Sequence, residues 1–235
     1  MENNRFGETK YRNYGILEMF SEELDTWVYA INVDQILDEP ELFRNKISRE
    51  RYEKMLRYHN RLDKMLLVGN EILFEYGISR YFPEVAFSEW KRHVDAAGKP
   101  YVEGPRQLYF NMSHAGTYSV CAFSKNPVGV DIEKIRPVDL SIAERHYCHS
   151  EYEEIMRHQG NEQIKRFYQY WVLKESFTKA VGLGLSIPLN VFSFDTGEDD
   201  GVLYVEHSIN RGKYLSQQFP FRDIRYEMAL CIQGA

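Results

Sequence analysis

The sequence predicts a mixed α and β fold, and three stretches of the 235-residue chain carry that prediction. Wound at 100° per residue, the run 170–181 places Tyr170, Leu173, Phe177 and Val181 on one side as a core stripe. Leu108–His114 instead alternates Leu108, Phe110 and Met112 with Tyr109, Asn111 and Ser113, the period of a half-buried strand. Val128–Glu133 alternates in the same way, sending Val128, Val130 and Ile132 to one face and Gly129, Asp131 and Glu133 to the other.

The remaining elements follow in chain order. Residues 1–24 are polar with scattered aromatics and are expected to wrap the surface as an extension. Trp27–Val33 reads as a first strand. Ser48 is placed to cap a long helix with Met55, Leu62, Leu66 and Leu73 on its apolar side, and Gly77 is placed to end it. Gly98-Lys99-Pro100 forms a turn that presents a lysine, and Ala115-Gly116 turns the chain from the strand ending at His114 into Tyr118–Phe123. That turn would leave the His114 ring at the rim of a sheet. A loop and a short segment, Ser141–His149, precede a charged helix from Ser150. Gly182 stops the 170–181 helix. Val191–Phe194, Val202–Glu206 and Tyr226–Ile232 are expected to close the sheet as antiparallel strands, the first two joined by a turn at 197–201.

Composition excludes several classes. The chain is 43% hydrophobic and 27% charged, which is globular rather than disordered. Its net charge of −6 argues against a general nucleic-acid binder. No apolar run approaches the roughly 18–20 residues of a membrane span, and the N-terminus lacks the apolar core of a secretory signal. Three widely spaced cysteines, Cys121, Cys148 and Cys231, suit free thiols in a reducing compartment, so a cytoplasmic protein is expected. Cys148 with His146, His149 and His158 fits no zinc spacing. Charge is nonetheless uneven. Between Arg44 and Lys64 eight basic residues face three acids, a local +5 that leaves −11 for the rest of the chain. Such a segment is either a solvated face or a phosphate-binding edge.

Chemistry concentrates in two places. Asp131 and Glu133, one strand repeat apart, repel each other unless a cation lies between them. Carboxylate oxygens suit Mg²⁺, which keeps several waters and takes other ligands from substrate phosphate. Glu175 and Lys179 lie one helical turn apart; read alone they form a solvated ion pair. Read with Asp131 and Glu133, Glu175 completes a carboxylate set and Lys179 can neutralise a phosphate oxygen.

Four motifs together give this chain a resemblance. Val128-Gly129-Val130-Asp131-Ile132-Glu133, the helix motif from Trp171 through Lys174, Glu175 and Lys179, Phe110–His114, and Gly98-Lys99-Pro100 stand in order and spacing. From about Ile47 to the C-terminus the chain closely resembles the surfactin-synthetase-type 4′-phosphopantetheinyl transferases. The resemblance implies an α+β fold of two similar halves about a pseudo-twofold axis, antiparallel sheets each packed on a long helix. The halves would be 1–125 and 126–235, with coenzyme A in the cleft between them. It implies transfer of the 4′-phosphopantetheine arm of coenzyme A to a serine of an apo acyl or peptidyl carrier protein of fatty-acid, polyketide or nonribosomal-peptide synthesis. Mg²⁺ (or Mn²⁺) would be held by Asp131, Glu133 and Glu175. Lys179 and His114 would steady the pyrophosphate, and Lys99 and Ser113 would hold the nucleotide portion. Glu175, or a water on the metal, would accept the serine's proton, and Lys174 would orient the site. Arg51 and Lys54 are the nearest counterparts of the family's 3′-phosphate ligands, with Glu53 standing where an ungapped alignment expects lysine. A monomer without nucleic-acid or membrane partners is expected. Leu140, Ile142 and Tyr147 serve either as core or as carrier anchors. Two other readings share the carboxylates: another Mg²⁺-dependent nucleotide-diphosphate transferase, and a non-catalytic module that binds coenzyme A or a carrier.

Overall fold

The computed structural model describes residues 14–37, 39–45, 47–183, 187–195, 202–204, 206–207 and 213–234. Its strands are β1 (Leu17–Ser21), β2 (Thr26–Asn32), β3 (Lys91–Val94), β4 (Pro100–Glu103), β5 (Tyr109–Ala115), β6 (Tyr118–Ser124), β7 (Val128–Lys134), β8 (Phe192–Ser193), β9 (Val202–Tyr204), β10 (Glu206–His207), β11 (Tyr214–Gln218) and β12 (Tyr226–Gln233). The helices are α1 (Arg49–Arg57), α2 (Arg61–Tyr81), α3 (Ser141–His146), α4 (His149–Met156) and α5 (Gly160–Val181). The fold is mixed α+β. Two four-stranded antiparallel sheets, ordered β1-β2-β6-β5 and β7-β12-β11-β9, are accompanied by separate two-stranded ribbons β3-β4 and β8-β10.

Alternation along the central strands explains the layering. Val28 and Ala30 of β2, with Val120 and Ala122 of β6, pack against Val128, Val130 and Ile132 of β7 and Met228, Leu230 and Ile232 of β12. The intervening residues face outward onto helices: Tyr29, Ile31, Cys121 and Phe123 onto α2, Ala229 and Cys231 onto α5. The order is helix, sheet, sheet, helix. Such strands are buried on both faces and read as nearly continuous apolar runs. All three cysteines are free thiols. No described helix is long and apolar enough to cross a membrane.

Several expectations change. Part of the expected N-terminal extension is β1, paired along its length with β2; residues 1–13 lie outside the described residues. The single long helix is two helices. Ser48 caps α1, accepting from Arg51 N at 3.3 Å, and Asn60 caps α2, accepting from Leu62 N at 2.9 Å. Gly77 does not end α2, which runs to Tyr81. It lies against the Phe123 ring so closely that a Cβ there would collide with it, and its absence lets the helix settle on β6. At the other end β8 pairs with β10 in a separate ribbon instead of closing the main sheet. The place between β9 and β12 goes to β11, which sequence reading missed. Ser216 and Gln217 occupy buried positions there, so β11 lacks an apolar period. Gln217 is held across the molecule by Ser21, whose Oγ donates to its Oε1 at 2.6 Å. The expected turn at 197–201 lies outside the described residues.

Candidate active site

The site forms where β5 and β7, edge strands of the two sheets, meet. Asn111 of β5 accepts from the Val130 amide at 3.0 Å, and Ser113 Oγ donates to Asp131 Oδ1 at 2.8 Å. As the alternation requires, Asp131 and Glu133 turn away from the inter-sheet core and toward α5. Gly129 sets the depth of that contact. A Cβ there would collide with the backbone of Ser176 and come within 2.5 Å of Ala180 N, so only glycine lets α5 lie directly on the strand. The close approach brings Lys179 to Asp131: Nζ donates to Oδ1 at 2.6 Å, to Ser113 Oγ at 2.9 Å and to Val130 O at 3.2 Å. Lys179 is therefore turned into the site.

The carboxylates shape the electrostatics. Burial, and then the Asp131 charge, push the Glu133 carboxyl up to about 7. The same two causes, in the same order, raise Glu175. Asp131 is 3% exposed, and its Oδ2 is buried with no hydrogen-bond partner. An unpartnered buried acceptor beside two carboxyl groups that resist ionising is the signature of a place suited to a cation. Among the described residues no group of three His, Cys, Asp or Glu side chains is drawn tightly enough together to hold an ion alone. An ion here would complete its shell with water or substrate oxygens, as Mg²⁺ does.

His114 lies beyond Ser113 with its side chain exposed at the sheet rim, as expected. Desolvation by surrounding chain and then the Lys179 ammonium hold its imidazole below the ordinary range. On its other side His114 lines a cavity of about 340 Å³ with Arg51, Lys54, Tyr58, Asp63 and Asn70. The basic segment thus contributes two cations to a cavity whose link to the carboxylate cluster is His114, which feels the charges of Lys179 and Asp131. Lys99 is placed apart from that cavity. Its turn is closed by Asp95, whose Oδ1 accepts from Ala97 N at 2.9 Å and Lys99 N at 2.8 Å. Lys99 Nζ donates to Ala180 O at 3.0 Å, near the C-terminus of α5. Burial lowers its pKa.

Lys174 faces away from this constellation. Its Nζ is fully buried, 2.7 Å from Glu151 Oε2, and donates to Leu189 O and Phe192 O at 2.8 Å each. Glu151 also accepts from the amides of Cys148 and Phe194, both at 3.0 Å. Burial raises the Glu151 pKa and lowers that of Lys174. The pair ties the segment 189–194 to α4 and α5. Sequence reading missed Glu151; the available signal was its position three residues after Cys148, where it closes a capping box at the start of α4. Lys174→Met should cost about 3–5 kcal/mol, because it strands a buried carboxylate. Denaturant unfolding would measure this; an unchanged midpoint would remove the pair from the stability of the fold. Tyr147 is 4% exposed within the α5 core, which withdraws it as a carrier anchor. Leu140 and Ile142 are half-buried against the same core.

Comparison with known proteins identifies the family. Residues 127–229 match the model of the 4′-phosphopantetheinyl transferase superfamily. The chain is 34% identical over 206 residues to the 4′-phosphopantetheinyl transferase Sfp of Bacillus subtilis, covering 87% of this chain and 91% of that protein. It is 32% identical over 166 residues to the 4′-phosphopantetheinyl transferase gsp of Aneurinibacillus migulanus, covering 69% and 68%. A crystal structure of Thermotoga maritima holo-[acyl-carrier-protein] synthase aligns over 46% of this chain and 62% of its own, at 22% identity and a TM-score of 0.38, too loosely to bear on the fold. With a relative above 30% identity that is covered over 91% of its length, and with a family model matching residues 127–229, this chain belongs to the 4′-phosphopantetheinyl transferase superfamily.

Proposed function

We propose that this enzyme transfers the 4′-phosphopantetheine arm of coenzyme A to a serine hydroxyl of an apo carrier protein, releasing adenosine 3′,5′-bisphosphate. The observation that carries the reading is the position of His114, between a cavity lined by Arg51 and Lys54 and the cluster of Asp131, Glu133, Glu175 and Lys179. Coenzyme A has a 3′-phosphate and a pyrophosphate on one nucleotide, and two adjoining charged sites match those two groups. In this reading Arg51 and Lys54 receive the 3′-phosphate. Lys179 and His114 steady the pyrophosphate, and Ser113 and Lys99 support the nucleotide portion. Asp131, Glu133 and Glu175 would hold Mg²⁺ (or Mn²⁺), which when bound offsets the charge of the pyrophosphate. The serine Oγ bonds to the β-phosphorus as the bond from that phosphorus to the bridging oxygen breaks. Adenosine 3′,5′-bisphosphate leaves with the electron pair, and Glu175 takes the serine proton.

The two-halved arrangement belongs to the same reading. The order strand, long helix, paired strands occurs twice, as β2, α2, β5, β6 and as β7, α5, β11, β12, with the strands adjacent as β2-β6-β5 and β7-β12-β11. This repetition supports halves 1–125 and 126–235 about a pseudo-twofold axis, and one chain that supplies both walls of the cleft, hence a monomer. Absence of nucleic-acid and membrane partners and a cytoplasmic location are part of the same proposal. The test is the intact mass of an apo carrier incubated with enzyme, coenzyme A and Mg²⁺. A gain of one phosphopantetheine, abolished by EDTA and restored by excess Mg²⁺, is the expected result. No gain with fatty-acid, polyketide or peptide carriers would overturn the transferase reading.

A further inference from the structure

We propose that Glu71 is a positioning residue for recognition of the 3′-phosphate, acting through Arg51. The inference rests on the assignment of Arg51 to that phosphate made above. Glu71 follows Asn70 on α2; Asn70 lines the cavity assigned above to the 3′-phosphate, and Glu71 lines the neighbouring one that Arg51 also borders. Its side chain is 9% exposed and joins two guanidinium groups. Arg51 reaches it only through Nε, which donates to Oε1 at 2.7 Å. Arg92 of β3 donates from Nη2 to Oε1 at 2.6 Å and to Oε2 at 2.8 Å. Arg92 is itself seated 4.9 Å over the Phe74 ring.

The division of labour follows from this geometry. Arg92 takes both oxygens of the carboxylate and so answers most of its charge inside a desolvated site. Arg51 spends one edge of its planar fork on the anchor. Among the described residues it makes no other side-chain bond, so its Nη edge is left for a ligand. One carboxylate between two guanidinium groups leaves a net +1. Arg51 stands at the wall between two cavities: it lines one with Lys54 and His114, and with Glu71 and Arg92 it lines a second of about 810 Å³. A free arginine would have to lose rotamer freedom on binding phosphate; this one is already held in place.

Charge and position make opposite predictions for Glu71→Gln. The substitution adds one positive charge, so if local charge alone mattered, discrimination in favour of the 3′-phosphate would rise. If Glu71 aims Arg51, discrimination falls. We expect the ratio of kcat/KM for coenzyme A to that for 3′-dephospho-coenzyme A to drop about tenfold, the scale of one misaligned charge-assisted hydrogen bond. The drop should lie in KM, with kcat for coenzyme A retained. In an Arg51→Gln background Glu71→Gln should lower the ratio no further, because its route to the phosphate is already gone. Arg92→Gln gives an independent approach if Glu71→Gln fails to fold. The carboxylate then has only Arg51 to answer its charge and draws it from the cavity, and the ratio again falls. A ratio that is unchanged or raised in the folded variants, or additive losses in the double variant, would overturn the proposal. If Arg51→Gln alone leaves the ratio intact, the 3′-phosphate assignment fails and takes this inference with it. If Arg51→Gln lowers it and Glu71→Gln does not, only the role of Glu71 fails.

Discussion

Asp131→Asn is expected to lose at least about 10³-fold in transfer rate, corresponding to the several kcal/mol that a divalent ion contributes to a charged transition state. The variant should remain folded. Asparagine keeps an oxygen for Lys179 and Ser113, which meet Oδ1 at 2.6 and 2.8 Å, and it removes the charge that pushes Glu133 and Glu175 toward protonation. Relief of that repulsion means the metal-free variant should melt no lower than the parent, an example of a site that favours function over stability. Steady-state transfer and a thermal melt in EDTA check the two halves of the prediction. Near-normal turnover would remove Asp131 from the ion's ligands. A melt well below the parent would assign it to the fold instead.

Lys179→Ala is expected to lower kcat by about 10²-fold, the usual cost of deleting a positioned cation that meets developing charge. Unlike the first substitution it should also destabilise the metal-free protein. Lys179 is the cation bonded to Asp131, whose side chain is 5% exposed, and its loss leaves Ser113 alone to answer Oδ1 beside two further carboxyl groups. Excess Mg²⁺ should recover much of the stability and little of the rate, since an ion can answer the carboxylates without replacing the ammonium at the pyrophosphate. A rise in carrier KM at unchanged kcat would place Lys179 in docking. The two substitutions thus separate what the carboxylate does from what its lysine does.

Much of this site is legible along the chain because its local geometry is periodic. Two-residue alternation places Asp131 and Glu133 on one face of a strand, and 3.6-residue winding places Glu175 and Lys179 on one side of a helix. Where β7 and α5 form as expected, those pairings come with them. Failures occurred where position in space overrides local pattern. Gly77 reads as a helix stop and is a contact with Phe123 one turn before the helix ends at Tyr81. Ser216 and Gln217 hide β11 by breaking its apolar period at buried positions, where Gln217 is held by its hydrogen bond from Ser21. Glu71 and Arg92 lie 21 residues apart and bear no motif, so nothing local marks them as partners.

From the order of its residues alone this protein declares a mixed α and β fold, the carboxylates and lysine of its candidate centre, and the basic segment proposed to serve it. Those properties follow from periodicity, charge and short-range spacing. Which partners the charges take was decided only by tertiary packing. Lys179 could have remained a surface partner of Glu175, and it reaches Asp131 because Gly129 lets α5 sink onto β7. Lys174, adjacent to Glu175 in the same motif, points the opposite way into a buried pair with Glu151. One helix turns neighbouring residues through 100°, so adjacent charges in a motif enter different environments, and only the packed elements on either side determine what each one meets.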